Sequence, residues 1–379
     1  MNSSIIFSHI LNIYDVLLLT TFVVALLLAI PLLIKRDRGI NDVLLAAFIF
    51  IQGFYAFYSV LLFNENIGQH IRDTLFPFYK VPHLLVLGLQ GLLVLWFARA
   101  MMGRSLGLRS KTTNVVAILC LITIVVNLHF NIASGGNIHV LLACAWLLNV
   151  CSVVLGFEAI RQLHSYEIKL PFIHSTIDKY SLTWLKVVMI GFVSVWVLPV
   201  VADFSMVVGL TNFAEILYLF RHVPPLFLIS TMVLYSQSHA ISQSQSLEIS
   251  AEKKQPENST IVNPNSINQL NDLMQRVKLY QDPELRLDGL ADSMGISPRS
   301  LSSILNQHYQ KSFYDFVNQY RISDAIEQLR EKSKHHKTIQ RVFEEAGFNS
   351  KTTFNTLFKK STGKTPSEFR ESVKEEVVN

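Results

Sequence analysis

Two short stretches near the C-terminal end hold the residues whose types and spacing could do chemistry. The first offers Arg299, Ser302 and Ser303; the second offers Lys351, Thr352, Asn355, Thr356, Lys359 and Lys360. None of these forms a nucleophile–base pair or a metal-ligand set, and no catalytic, metal or cofactor site is expected. They are cations and hydrogen-bond donors. An arginine or lysine can donate to guanine, an asparagine can pair with adenine through two bonds, and lysines such as Lys359 and Lys360 hold phosphate without reading sequence. Taken singly, each is an ordinary solvated position; the set as a whole, at helical spacing, points to a polyanion with readable edges. Local charge agrees: Lys332 to Arg370 holds nine Lys and Arg against three Asp and Glu. The overall net charge of +5 adds nothing to this, because most of it lies in the apolar half: residues 1–240 carry +4 and residues 241–379 only +1.

The flanking residues predict the elements that position these groups. In Leu287–Leu305, Leu290, Ala291 and Met294 share a helical face, Gly295 supplies a turn, and Ile296 fills the corner. Ser297 is a good N-cap and Pro298 suits the first helical position, after which Leu301, Ile304 and Leu305 point inward. The logic repeats in Ile339–Lys360. Ile339, Val342, Phe343 and Ala346 face inward, Gly347 turns, Phe348 takes the part of Ile296, Ser350 caps, and Phe354, Leu357 and Phe358 form the core face. The glycine-to-core gap is six residues in the first unit (Gly295 to Leu301) and seven in the second (Gly347 to Phe354), so the second turn is one residue longer. These are two helix-turn-helix units with Phe313–Leu329 as a rigid connector. Leu290, Leu301, Phe354 and Phe358 are expected in the core, without a recognition role.

On these residues, Leu287–Arg370 resembles the DNA-binding domain of the AraC/XylS family of bacterial transcription regulators. The resemblance rests on Phe313–Leu329 and on Ala346–Arg370, with Gly347, Phe348, Ser350, Phe358, Lys359, Lys360, Gly363, Thr365, Pro366, Phe369 and Arg370. It covers roughly the last quarter of the chain. Three positions depart from the family: Ser303 stands where arginine is usual, Gln310 near a usual glycine, and Phe343 in place of alanine. The resemblance implies that the two units address successive major grooves of double-stranded DNA, that such domains usually activate transcription through RNA polymerase, and that a homodimer is plausible.

The remainder has another character. Half of the 379 residues are hydrophobic and only 16% are charged, which suits a membrane protein with a soluble appendage. Seven apolar runs reach bilayer length: Asn12–Ile34, Ile40–Phe63, Phe78–Met102, Thr113–Ile132, Ile138–Ile160, Ser181–Val208 and Phe213–Ser236. The first is too long for a signal-peptide core and lacks a basic flank, so it is read as retained. Lys35, Arg36 and Arg38, then Arg99, Arg104, Arg109 and Lys111, then Arg161, Lys169 and Lys179 all fall in alternate connections, with Arg72 the main exception. That bias places the N-terminus outside and the C-terminal domain in the cytoplasm of a bacterial inner membrane.

Polar groups inside spans are costly and face a bundle interior. Asp203 and Arg221 are candidate partners and, with His222, a candidate ligand pocket; a structural ion pair, with Pro224 and Pro225 only kinking the span, is the competing reading. Glu215 opens span seven. His70, His83, His129 and His139 lack helical pairing and read as packing or interfacial groups. Cys120, Cys144 and Cys151 read as buried small hydrophobes. Residues 1–236 are thus expected as a seven-span sensor domain and 237–265 as a polar linker. The DNA-binding domain follows over 266–372 and a tail over 373–379. Ile267–Tyr280 predicts an amphipathic opening helix with Leu270, Leu273, Met274 and Val277 on one face.

The expectation is therefore an all-α protein, a seven-transmembrane helical bundle followed by a cytoplasmic domain with two helix-turn-helix units. Its function would be one-component transcription regulation, in which the membrane half senses an unknown small-molecule or membrane signal. The alternatives are a transporter- or enzyme-like membrane domain regulating the reader, and a passive anchor in the lipid bilayer. No HExxH, GxSxG or paired intramembrane aspartates support the former, and one span would suffice for the latter.

Overall fold

A computed structural model describes residues 13–64, 68–107, 111–134, 138–178, 180–221, 224–240, 264–331 and 337–378. Every regular element among them is helical, and the single β-bridge joins His174 to Arg286. The chain divides into two compact units, one of residues 1–164 with 182–249 and one of residues 165–181 with 250–379.

The first unit contains α1 (Ile13–Ile34), α2 (Ile40–Phe63), a short α3 (Gly68–Thr74), α4 (Val81–Met101), α5 (Lys111–Ser134) and most of α6 (Ile138–Lys169). It closes with α7 (Thr183–Val207), α8 (Thr211–Phe220) and α9 (Pro224–Ala240). Six of these, α1, α2 and α4 to α7, are long and apolar enough to cross a membrane. Their outward faces are apolar: Leu27, Leu121, Val187 and Phe204 are all more than half exposed, a pattern that water penalises and lipid does not. The polar groups turn inward instead. Asn64 donates to Asp15 at 2.8 Å, Lys80 Nζ to Asn131 at 3.3 Å, and Ser152 Oγ to the Leu87 carbonyl at 3.0 Å. Between lipid-like surfaces, helices associate through close packing. A Cβ added at Gly91 would lie 2.7 Å from Ser152 Cα, so glycine there lets α4 and α6 approach.

Three expectations are corrected here. The seventh span is not one helix. It breaks after Phe220, and α9 restarts at Pro224, because Pro224 and Pro225 lack the N–H groups that a continuous helix needs. Ile138–Ile160 is only part of α6, which runs on to Lys169 and stops at Pro171. Asp203 and Arg221 are not ion-paired among the described residues: the Tyr218 hydroxyl donates to Asp203, and the Arg221 guanidinium lies 4.6 Å from the Tyr55 ring centroid. His222 lies outside the described residues, as does most of the linker, 241–263.

The C-terminal part of the second unit has α10 (Pro264–Asp272) as its first described helix. Leu270 and Met274 are buried in its first core, with Leu273 packed against it. Val277 is 57% exposed, against expectation. Residues Leu273–Val277 form a π turn, whose wider pitch carries Val277 off the buried face, and Tyr280 takes the inward place.

Replacing Gly91 with valine is expected to destabilise the helical bundle by about 1–3 kcal/mol, read as a lower melting temperature in detergent. Gly39→Ala, where an added Cβ meets nothing closer than 4.0 Å, should leave melting unchanged.

Candidate nucleic-acid interface

The site is built on five helices: α11 (Leu287–Ser293), α12 (Pro298–Ile304), α13 (Phe313–Arg330), α14 (Ile339–Glu345) and α15 (Lys351–Thr362). A closing helix, α16 (Pro366–Val378), contributes Phe369 to the second core. The caps are where hydroxyls allow them. Ser297 accepts from the Ser300 N–H at 3.1 Å, Ser312 from Asp315 at 3.1 Å, Thr338 from Arg341 at 3.1 Å and Ser350 from Thr353 at 3.3 Å. Two hydrophobic cores result, one for each helix-turn-helix. Leu290, Ala291, Met294, Leu301 and Ile304 fill the first; Val342, Phe343, Ala346, Phe348, Phe354 and Phe358 fill the second. The connector α13 enters both, with Phe313, Phe316 and Val317 in the first and Ile322, Ala325 and Leu329 in the second. Its rigidity follows from being anchored at both ends.

Both turns use left-handed glycines, Gly295 at φ 65° and Gly347 at φ 88°. They differ in surroundings. A Cβ at Gly295 meets open space, whereas one at Gly347 would come within 2.5 Å of the Tyr280 carbonyl oxygen. Gln310 also sits in the left-handed region, at φ 52°, where it ends the π turn that follows α12. A glycine is usual near this position in the family that the domain resembles.

The proposed reading residues lie on the outer sides of α12 and α15. Arg299 is exposed, with Ser302 and Ser303 half-buried beside it; Ser302 Oγ accepts weakly from Asn306 at 3.4 Å. On α15, Lys351, Thr352, Thr356, Lys359 and Lys360 are exposed and Asn355 is half-buried. The Thr356 hydroxyl donates to the Thr352 carbonyl at 2.9 Å, which leaves its oxygen free only as an acceptor.

Sequence reasoning missed Arg321, the largest fully buried side chain. It lies mid-way along α13, between the two cores. Its Nε donates to the Tyr280 carbonyl at 2.7 Å, and Nη2 to the Asp282 carbonyl at 2.7 Å and to Ser175 Oγ at 3.0 Å. Nη1 donates to the Ser175 carbonyl at 3.2 Å. Burial lowers its pKa to about 10, with Asp282 opposing the shift, so it remains a cation at neutral pH. Its partners include residues of the 165–181 segment, which the sequence had placed among membrane connections. Residues 173–178 and Tyr180 of that segment are held by several hydrogen bonds. Leu287 N–H donates to the Ile173 carbonyl at 3.0 Å, Ser175 N–H to the Leu285 carbonyl at 3.3 Å, and Thr176 Oγ1 to the Pro283 carbonyl at 2.9 Å. The Tyr180 hydroxyl donates to Glu284 at 3.0 Å, and His174 stacks on Tyr180 at 4.0 Å. Beyond it, the Asp178 carboxylate accepts from the Thr353 hydroxyl on α15. A short connection of mixed polar and apolar residues between two apolar runs gives no periodic signal by which to find this.

Two helix-turn-helix units fixed to one connector define a DNA-reading domain. Residues 290–372 match the family described as helix-turn-helix domain, and this part of the chain is a helix-turn-helix domain of the AraC type. Among similar proteins is the probable transcription factor PqrA of Proteus vulgaris, 28% identical over 107 residues, covering 28% of this chain and 85% of that protein. Another is the uncharacterized transcriptional regulatory protein YesN of Bacillus subtilis (strain 168), 33% identical over 91 residues. That match covers 24% of this chain and only 24% of YesN. No solved structure matches the chain.

Gln310→Gly is expected to raise the stability of the second unit by about 0.5–1 kcal/mol, by relieving left-handed strain. Gly347→Ala should lower it by more than about 2 kcal/mol, combining that strain with a clash. Chemical denaturation of the purified protein, followed by a probe in the second unit, checks both.

Proposed function

We propose that this protein is a membrane-embedded, one-component transcription regulator of a bacterial inner membrane, and that its cytoplasmic domain reads double-stranded DNA. The observation that carries the reading is the connector α13, rooted in two helix-turn-helix cores that each present an exposed donor-bearing helix. Arg299, Ser302 and Ser303 would enter one major groove and Lys351, Thr352, Asn355 and Thr356 the next, with Lys359 and Lys360 on phosphates.

The topology has support of its own. The 165–181 segment and the C-terminal domain belong to one compact unit, which supports placing both on one side of the membrane. On that reading the chain between them would cross an even number of times, with α7 as one crossing and the broken pair α8–α9 as the other. The proposal is then seven crossings in all, an outside N-terminus, and a cytoplasmic side enriched in Lys and Arg.

The signal would enter the membrane unit, where Arg221, Tyr55, Gln52 and Gln90 line a cavity of about 20 Å³ with Thr21 and Trp196. Gln90 Nε2 is buried there with no hydrogen-bond partner among the described residues. That cavity holds about one water, so a ligand would have to part the side chains around Arg221. Asp203, which accepts from the Tyr218 hydroxyl, and His222, next to Arg221 in the chain, are the other candidate ligand residues. Regulation would pass to RNA polymerase, with a homodimer as the assembly on DNA.

Genome-wide crosslinking of the tagged full-length protein is expected to give discrete peaks that vanish in an Arg299→Ala/Lys351→Ala variant, since each lost base contact costs about 1–3 kcal/mol. Peaks unchanged in the variant would remove these residues from the interface. In a reporter driven by a bound promoter, Arg221→Gln should leave output fixed whatever the growth condition. Normal regulation in that variant would refute the pocket.

A further inference from the structure

The 165–181 segment does more than connect two helices of the membrane unit. It begins as the last turn of α6, a helix that crosses the membrane in the topology above, and it ends where α7 begins. Between these points Ser175 and Thr176 are buried under Arg321 and the 282–287 strip, so the segment cannot drift from the reading domain without breaking several hydrogen bonds. Two residues beyond Thr176, Asp178 accepts a hydrogen bond from Thr353. Thr353 is in the first turn of α15, and its hydroxyl also meets the Ser350 cap at 3.1 Å. It stands one turn before Thr356 and two turns before Lys360 on the same stripe of the helix surface. An exposed carboxylate therefore lies on the flank of the reading face, at the helix end that attracts anions.

We infer that Asp178 is a built-in competitor of DNA: its carboxylate occupies the edge of the second reading helix that a backbone phosphate would approach, and the position of α6 sets how firmly it stays there. The inference rests on α15 being a DNA-reading helix. A phosphate arriving beside Thr353 would meet a like charge, and binding would require Asp178 to leave. The gripped residues Ser175 and Thr176 act as the fulcrum and Asp178 as the moving end. A displacement of α6 is carried to the reading helix through the chain itself, with no need for the 241–263 linker to be stiff.

The test is the affinity of the full-length protein, in nanodiscs, for a mixed-sequence DNA duplex at low salt. Asp178→Asn is expected to bind about three- to tenfold more tightly than wild type, and Asp178→Lys more tightly still. The control is Asp292→Asn, which removes the same charge from the first helix-turn-helix; it should change affinity by less than about twofold. Asp178 variants that bind like wild type, or that gain no more than Asp292→Asn, overturn the inference while leaving DNA reading intact. If neither wild type nor any variant binds the duplex, the DNA-reading function falls and the inference with it.

Discussion

One buried guanidinium, Arg321, ties the connector helix to the 165–181 segment and to residues 280–282. Burying a cation costs several kcal/mol unless every donor is satisfied. Arg321 meets that condition with carbonyl and hydroxyl oxygens drawn from three places in the chain: Tyr280 and Asp282, Ser175, and its own helix through Asn318 at 3.4 Å. Carbonyls that would otherwise be orphaned at the ends of short elements thereby gain a donor. Arg321 sits between the part of α13 that enters the first core and the part that enters the second, so this polar knot fastens the connector to the 165–181 segment at its middle.

The membrane unit follows the opposite logic. Its outer faces are apolar, its inner contacts depend on glycines that permit close approach, and its polar side chains pair within the bundle. Arg221, just after α8, and Pro225, in the first turn of α9, both line the cavity. Non-helical backbone at membrane depth is tolerated where it is enclosed by protein, and such places are where ligands meet membrane bundles.

Much of this was legible in the sequence because it obeys periodicity. The helix-turn-helix cores appear as apolar residues at three- and four-residue spacing, their starts as Ser297, Ser350 and Pro298, and the spans as long apolar runs. What could not be read depends on geometry rather than pattern. Val277 fits the amphipathic stripe of Ile267–Tyr280 but is thrown outward by a π turn. Pro224 and Pro225 are visible as an interruption, but whether they kink a span or end it depends on the packing around them; here a helix ends at Phe220 and the next starts at Pro224. The partners of Arg321 are mostly backbone oxygens, which every residue carries, so no residue type marks them. Ser175, Thr176 and Asp178 look like any polar connection between spans, and their role depends on a fold formed by residues far along the chain.

That distance has a consequence for how the protein is made. Ser175 and Arg321 are 146 residues apart. At about 5–20 residues per second, the ribosome needs roughly 7–30 s to reach the arginine after the serine has been added. For that interval the strip around Ser175 lacks its guanidinium partner. The reading domain therefore closes late, onto a piece of chain delivered in advance. In the proposed topology, only a membrane half threaded in the proposed sense would present that piece on the side where the arginine emerges, and maturation of the DNA-reading surface would then be a check on membrane insertion.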